Sequence, residues 1–185
     1  MRKSFGAVEK TFSQQVFIIA TYNEDGTVDA MNAAWGGIGN DKEIFICLSA
    51  DHRTCKNFER TGAFTVSMGD ADHIAACDFV GMVSGNDDPE KFKKSGFTTT
   101  PSTLVDAPII NELAVCVECK VKSWDPENCH LFGEIVNVSV DENALTNGNV
   151  DVDKVKPIIY NPFDHSYHIV GKKVGNAFKD GSSLM

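Results

Sequence analysis

Apolar runs of five to seven residues, each closed by a turn signal, recur along this chain and restrict it to a mainly β architecture. Val16–Tyr22 reads as a buried strand, and Asn23-Glu24-Asp25-Gly26-Thr27 after it carries the Asp-Gly hairpin signal. The next strand runs from Val28 into Met31–Trp35. Ile44–Leu48 and Ala63–Met68 are the third and fourth. Leu113–Val121 and Cys129–Val140 form a long pair joined by Trp124–Asn128, and Ser166–Val170 is the last strand. Short helices fall between them: Thr54–Gly62 ended by its glycine, Ala71–Phe79 behind Asp70, and Glu90–Ser95 stopped by Gly96. Lys154–Tyr160 starts another short helix, and Phe178 anchors a glycine-rich tail. Strands and helices never alternate as βαβ units, and no repeat or linker is visible. The expectation is therefore a barrel-like β core with helical insertions, a single domain over residues 1–185.

Composition excludes several classes. A net charge of −9 argues against binding nucleic acid through a broad basic face. It also means that any anion site must concentrate a few cations locally. No apolar run approaches the ~18 residues of a membrane span. The start, Met1-Arg2-Lys3-Ser4-Phe5-Gly6, has no hydrophobic signal region, so a cytoplasmic location is expected. The six cysteines are scattered and are expected to be reduced. Cys116-Val117-Glu118-Cys119 has CxxC spacing but reads as strand, where residues three apart point to opposite faces, and no metal site is expected.

Two stretches carry chemistry. In Asp29-Ala30-Met31-Asn32-Ala33-Ala34-Trp35-Gly36-Gly37, small side chains leave backbone N–H groups open beside one large aromatic. In Ser49-Ala50-Asp51-His52-Arg53-Thr54, hydroxyl, His and Arg donors open a helix, an arrangement suited to a phosphate. A planar ring with a phosphate anchor is what a flavin or another nucleotide requires. The same residues also fit a tight turn with a core Trp and a capped surface helix. Lys91, after the polar loop holding Ser84 and Gly85, could meet a phosphate or an anionic ring, or be a solvated helix lysine. His130, mid-strand, is a hydrogen-bonded core residue or a pocket donor, and Cys129 beside it faces the other way. No GxSxG, GxxxxGK[ST] or HExxH motif occurs, and Gly36-Gly37-Ile38-Gly39 lacks Rossmann context. A chain without an evident acid, base or nucleophile fits chemistry carried by a cofactor.

Taken in order, these pieces resemble the flavin reductase-like family, the FMN-binding split β-barrel proteins that include flavoredoxin. The resemblance rests on Met31–Gly37, His52-Arg53-Thr54, Val83-Ser84-Gly85 with Lys91-Phe92, and Asp106–Ile110 leading to Glu118–Val121. It continues through His130–Val136 and Tyr167–Lys172. It implies a homodimeric split barrel with FMN near the subunit interface. It places Asn32, Ala33, Ala34 and Trp35 at the flavin and Arg53 and Thr54 at the phosphate; by residue type alone the Ser49 and Thr54 hydroxyls are candidate phosphate donors, and Thr54 is equally a helix cap. Lys91 and His130 reach the cofactor, and Phe163 covers part of the site. Asp29 and Asn32 depart from the pattern, where Asn and Thr are frequent. Asp29 would set a negative charge near an anionic ligand unless it turns outward or pairs with a cation.

The function this implies is an oxidoreductase passing electrons from NAD(P)H through FMN to flavin or to another small-molecule or protein acceptor. Two alternatives stand beside it. One is a flavin electron carrier reduced by a protein partner. The other is a split-barrel protein holding a different ligand such as haem, with His52, His130 and His168 as possible ligands.

Overall fold

Residues 16–20 send alternate side chains into two separate cores, and the architecture follows from that division. Phe17 and Ile19 enter one cluster with Ile44, Ile46, Phe58, Phe64 and Leu131. Val16, Ile18 and Ala20 enter a second with Cys77, Val80, Phe97, Ile110 and Ile158. A strand buried on both faces has no polar side to show, which is why this run reads as continuously apolar. The structure is a computed structural model that describes residues 1–185, apart from the side chain of Ser183.

In chain order, the strands begin with β1 (Gln14–Gln15), β2 (Phe17–Tyr22), β3 (Val28–Ala33), β4 (Gly36–Asn40) and β5 (Glu43–Cys47). Helix α1 (Arg53–Thr61), β6 (Ala63–Met68), α2 (Ile74–Met82) and α3 (Lys91–Ser95) come next. The hairpin of β7 (Thr99–Pro101) and β8 (Pro108–Ile110) precedes the long pair β9 (Val115–Asp125) and β10 (His130–Val140). After them come β11 (Leu145–Thr146), β12 (Asn149–Val150), α4 (Val152–Val155), β13 (Ile158–Asn161) and β14 (Ser166–Ile169).

Seven strands, in the order β3-β2-β6-β9-β10-β5-β4, form an antiparallel sheet curled into a half-barrel. The first core fills its concave side, with α1 closing one end: Phe58 stacks near Phe64 and edge-on against Trp124. The second core lies outside, beneath α2 and the small sheet β1-β13-β14. Gly133 permits the tightest approach in the barrel, since a Cβ there would collide with the Phe64 ring. The fold is mainly β with helical insertions, a split β-barrel, as the rhythm of the sequence implies. Among the described residues no helix is long and apolar enough to cross a membrane.

Several boundaries differ from the sequence reading. The second strand stops at Ala33, Trp35 lies at a bend, and the chain continues as β4, which the glycine-rich Gly36-Gly37-Ile38-Gly39 conceals. Gly36 is required there, because a Cβ would stand 2.6 Å from the Phe45 carbonyl oxygen. Helix α2 starts three residues late because the Asp70 carboxylate first accepts the His73 N–H (2.8 Å) and holds a turn. Trp124 belongs to β9 rather than to a loop, fixed by its indole N–H donating to Glu59 (2.8 Å). The helix expected over 154–160 is α4, ending at Lys156 in left-handed backbone before Pro157, and Ile158–Asn161 is strand. His130 opens β10 instead of lying mid-strand, because Cys129 adopts a φ of 60°. Phe178 is fully exposed and anchors nothing.

Candidate functional site

The two edges of the seven-stranded sheet, β3 and β4, are consecutive in sequence and joined at Ala34–Trp35. An edge strand keeps every second N–H and C=O free of a ladder partner. Along β3 that free edge faces α2, which cannot be far away: a Cβ on Gly81 would lie 2.8 Å from the Asn32 Cβ. Between them opens a cleft of about 440 Å³ lined by Met31–Trp35, Cys47–Ser49, His52, Asp78, Gly81, Met82, Tyr160, His165 and Tyr167.

Three aromatic rings form one wall. Trp35 and Tyr160 have centroids 6.2 Å apart at 56°, and Tyr160 and Tyr167 are 5.8 Å apart at 52°. The tyrosines face the same way because they are direct register partners across the β13–β14 hairpin. Their hydroxyls are held in different ways. The Tyr160 hydroxyl is 2.6 Å from His165 Nδ1, on a residue in left-handed backbone at φ 59°. The Tyr167 O–H donates to Asp78 Oδ1 at 2.9 Å, while the Asn32 amide donates to the Cys77 carbonyl at 3.0 Å. Burial, then the bond to Asp78, pushes the Tyr167 phenol well above its ordinary range and keeps it a donor. Asn32 is thereby held against α2.

The cleft continues into a polar end of about 330 Å³, sharing Met31, Asn32, His52, Gly81 and Met82 with the aromatic end. It is lined further by Asp29, Arg53, Thr54, Val83, Ser84, Gly85 and Lys91. Helix α1 points its N-terminus here. No side chain caps it and its first turn holds no acid, so its N–H groups and positive dipole end remain available. The helix is fixed in direction at its far side: Asn57 donates to Thr21 (3.0 Å) and Asn23 (2.9 Å), and Arg60 to the Tyr22 carbonyl (2.7 Å). Arg53 Nε is buried without a hydrogen-bond partner, which is costly unless a ligand supplies one. The loop at Gly85 lies so close that a Cβ would collide with the Asp29 carboxylate and come within 3.1 Å of Arg53 Cβ.

The structure brings together eleven of the residues singled out from sequence: Asp29, Asn32, Ala33, Ala34, Trp35, Ser49, Arg53, Thr54, Ser84, Gly85 and Lys91 all line this continuous cleft. Trp35 is 43% exposed, a wall of the cleft rather than a core residue. Two others stand outside the lining. His130 pairs in register with the cleft residue Cys47, but its ring packs edge-on against Phe45 at 5.2 Å. Phe163, in the β13–β14 turn, stacks on Phe5 at 5.6 Å. Sequence reasoning did not single out Tyr160, Tyr167, Asp78 or His165. Tyr160 and Tyr167 flank a turn rich in Asn, Pro and Asp, and hairpin pairing across that turn would have put both on one face.

A cleft with an aromatic wall at one end and an unpartnered Arg53 Nε at a helix N-terminus at the other suits a planar ring carrying a phosphate. Known proteins agree with this geometry. The structure superposes on flavoredoxin of Desulfovibrio vulgaris (Miyazaki F) with a TM-score of 0.93 and 33% identity, covering 98% of this chain and 100% of that one. It superposes on flavoredoxin from Methanosarcina acetivorans with a TM-score of 0.86 and 25% identity, covering 100% and 98%. An uncharacterized protein of Aquifex aeolicus (strain VF5) is 28% identical over 153 residues, 76% of each chain. The flavin reductase like domain matches residues 9–166, a span that contains every cleft residue described except Tyr167, and the chain belongs to that family.

Proposed function

We propose that this protein is an FMN-dependent oxidoreductase, working as one flavin reductase-like domain, that takes electrons from NAD(P)H and delivers them to free flavin or another acceptor. The observation that carries the reading is the pairing, within one cleft, of the Trp35–Tyr160–Tyr167 wall with the unpartnered Arg53 Nε. FMN, when bound, supplies reversible hydride acceptance, which no side chain here can provide. The residues supply the rest. Trp35 and the tyrosines take the ring, and the backbone of residues 32–35 offers amides to its polar edge. Arg53 and the N-terminus of α1 take the phosphate, with the Ser84-Gly85 loop beside them. The missing room for a Cβ at Gly81 and Gly85 fits a site where backbone, not side chains, forms the floor.

The protein is further proposed to act as a homodimer. The outer face of β5 and β10 presents Phe45 in contact with both Phe132 and His130, with exposed Val136 and Val138 farther along β10. A second copy covering that face would bury these apolar side chains on either side of Glu134 and bring His130 into an interface. Sedimentation at micromolar concentration should give twice the 20.2 kDa chain mass.

The activity test is oxidation of NADH or NADPH by FMN-loaded protein with free FMN or ferricyanide as acceptor. Turnover is expected. Stoichiometric reduction by a separate reductase, with no reaction toward either nicotinamide, would assign an electron carrier instead. A colourless protein that titrates with haem and not with FMN would remove the flavin reading.

A further inference from the structure

The polar end of the cleft contains two cations, Lys91 and Arg53, and they are held differently. Lys91 Nζ lies 3.0 Å from Asp29 Oδ1, with both side chains about 4% exposed. The other carboxylate oxygen accepts the Thr54 hydroxyl at 2.6 Å in a fully buried bond. The neighbouring lysines of α3 behave differently, remaining at the surface with Lys93 on Glu90 (3.0 Å) and Lys94 on Asp88 (2.6 Å). Gly85 closes over the Asp29 carboxylate and leaves no room for another group to approach it from the loop side. Arg53 Nε, by contrast, is buried with no partner.

We infer that Asp29 sets the strength of phosphate binding by holding Lys91 and Thr54 in a neutral buried cluster, so that Arg53 alone supplies the free positive charge. The inference rests on the flavin reading given above and concerns one consequence of it. An electrically neutral pair contributes little to the field at a phosphate, whereas a released lysine at the same place would add a full charge. The site is thereby tuned for moderate, exchangeable binding of a phosphorylated ring. Asp29 is a positioning residue here: it acts on the ligand through Lys91.

The test is an equilibrium titration of apoprotein with FMN and with riboflavin, which lacks the phosphate. Asp29→Asn releases Lys91 and is expected to tighten FMN about tenfold, with steeper salt dependence, while riboflavin changes less than about twofold. Lys91→Gln leaves the Asp29 charge exposed to the phosphate and is expected to weaken FMN about tenfold. The double variant Asp29→Asn/Lys91→Gln replaces the ion pair with a neutral amide pair of similar size. It is expected to bind FMN within about threefold of the wild type. A thermal melt of each apoprotein confirms that the fold is kept, and the double variant decides between the outcomes if either single variant is unstable. A double variant as weak as Lys91→Gln would mean that Lys91 contacts the phosphate itself, and would overturn the inference while leaving FMN binding intact. Wild-type protein that binds neither FMN nor riboflavin would overturn the flavin reading and this inference together.

Discussion

Trp35 and Tyr160 stand 6.2 Å apart at 56°, although 125 residues separate them and only Tyr160 lies in a strand. Trp35 comes from the bend that joins the two edges of the half-barrel, and Tyr160 from the hairpin packed outside it. Their juxtaposition makes a recognition surface out of a closure point. It depends on Gly36, whose missing side chain lets the bend lie against Phe45.

Replacing Trp35 with Ala should weaken binding of FMN and riboflavin alike, by about tenfold or more, because ring contact is shared by both. Apoprotein titrations followed by flavin fluorescence would measure it. Trp124 lies on the far side against Phe58, so quenching of indole emission on flavin binding should come from Trp35 and be lost in the variant.

Arg53→Gln should separate the two ligands. A charge-assisted hydrogen bond to phosphate contributes about 1.5–3 kcal/mol, so FMN affinity should fall roughly ten- to hundredfold. Riboflavin, without the phosphate, should bind the variant as it binds the wild type.

Thiol labelling reads the site without any turnover. Cys55, Cys77, Cys116 and Cys119 are buried, whereas Cys47 is exposed and Cys129 half-buried. Native protein should leave Cys55, Cys77, Cys116 and Cys119 unreacted with an aromatic disulfide reagent, label Cys47 only as far as the dimer leaves it open, and show all six thiols only after denaturation. Cys47 lines the cleft, so saturating FMN should slow its labelling and leave Cys129 less affected.

Alkaline pH should destabilise the fold. Burial pushes the Cys55 and Cys119 thiols up to about 12 and those of Cys77 and Cys116 to about 11, from 9.0. These thiols stay protonated in the native state while the unfolded chain releases their protons. Their contribution is complete below pH 9 and is lost as pH rises toward 11 and 12. Each thiol accounts for up to about 1.4 kcal/mol per pH unit within its window. Urea unfolding at pH 8 and pH 10.5 should show a clear loss of midpoint at the higher pH. The Tyr167 phenol, raised mainly by burial, acts in the same direction.

Much of this organisation is legible in the sequence because it rests on local patterns. Ala63–Met68 is strand from end to end, as its apolar run implies, and Gly62 ends α1 in left-handed backbone at φ 69°. The run at 16–22 announces a strand with two buried faces. The stretch 29–35 and the helix start at 52–54 are visible because small residues and donors cluster there. What could not be read is long-range. β4 is hidden by glycines that serve backbone approach rather than strand propensity. Tyr160 and Tyr167 reach the cleft only through the docking of a separate hairpin, which no local period encodes. The Asp29–Lys91 pair spans 62 residues, and only the fold shows that Asp29 pairs with a cation, one of the two escapes from repulsion that the sequence left open.

The central claim is that one cleft, walled by Trp35, Tyr160 and Tyr167 and closed by Arg53, holds one FMN. The most direct measurement is a crystal structure of the protein grown with FMN. The account predicts continuous density from the aromatic wall to Arg53, with the phosphate on Nε and the N-terminus of α1. A cleft without flavin density, or flavin bound elsewhere with Arg53 Nε still unpartnered, would contradict it.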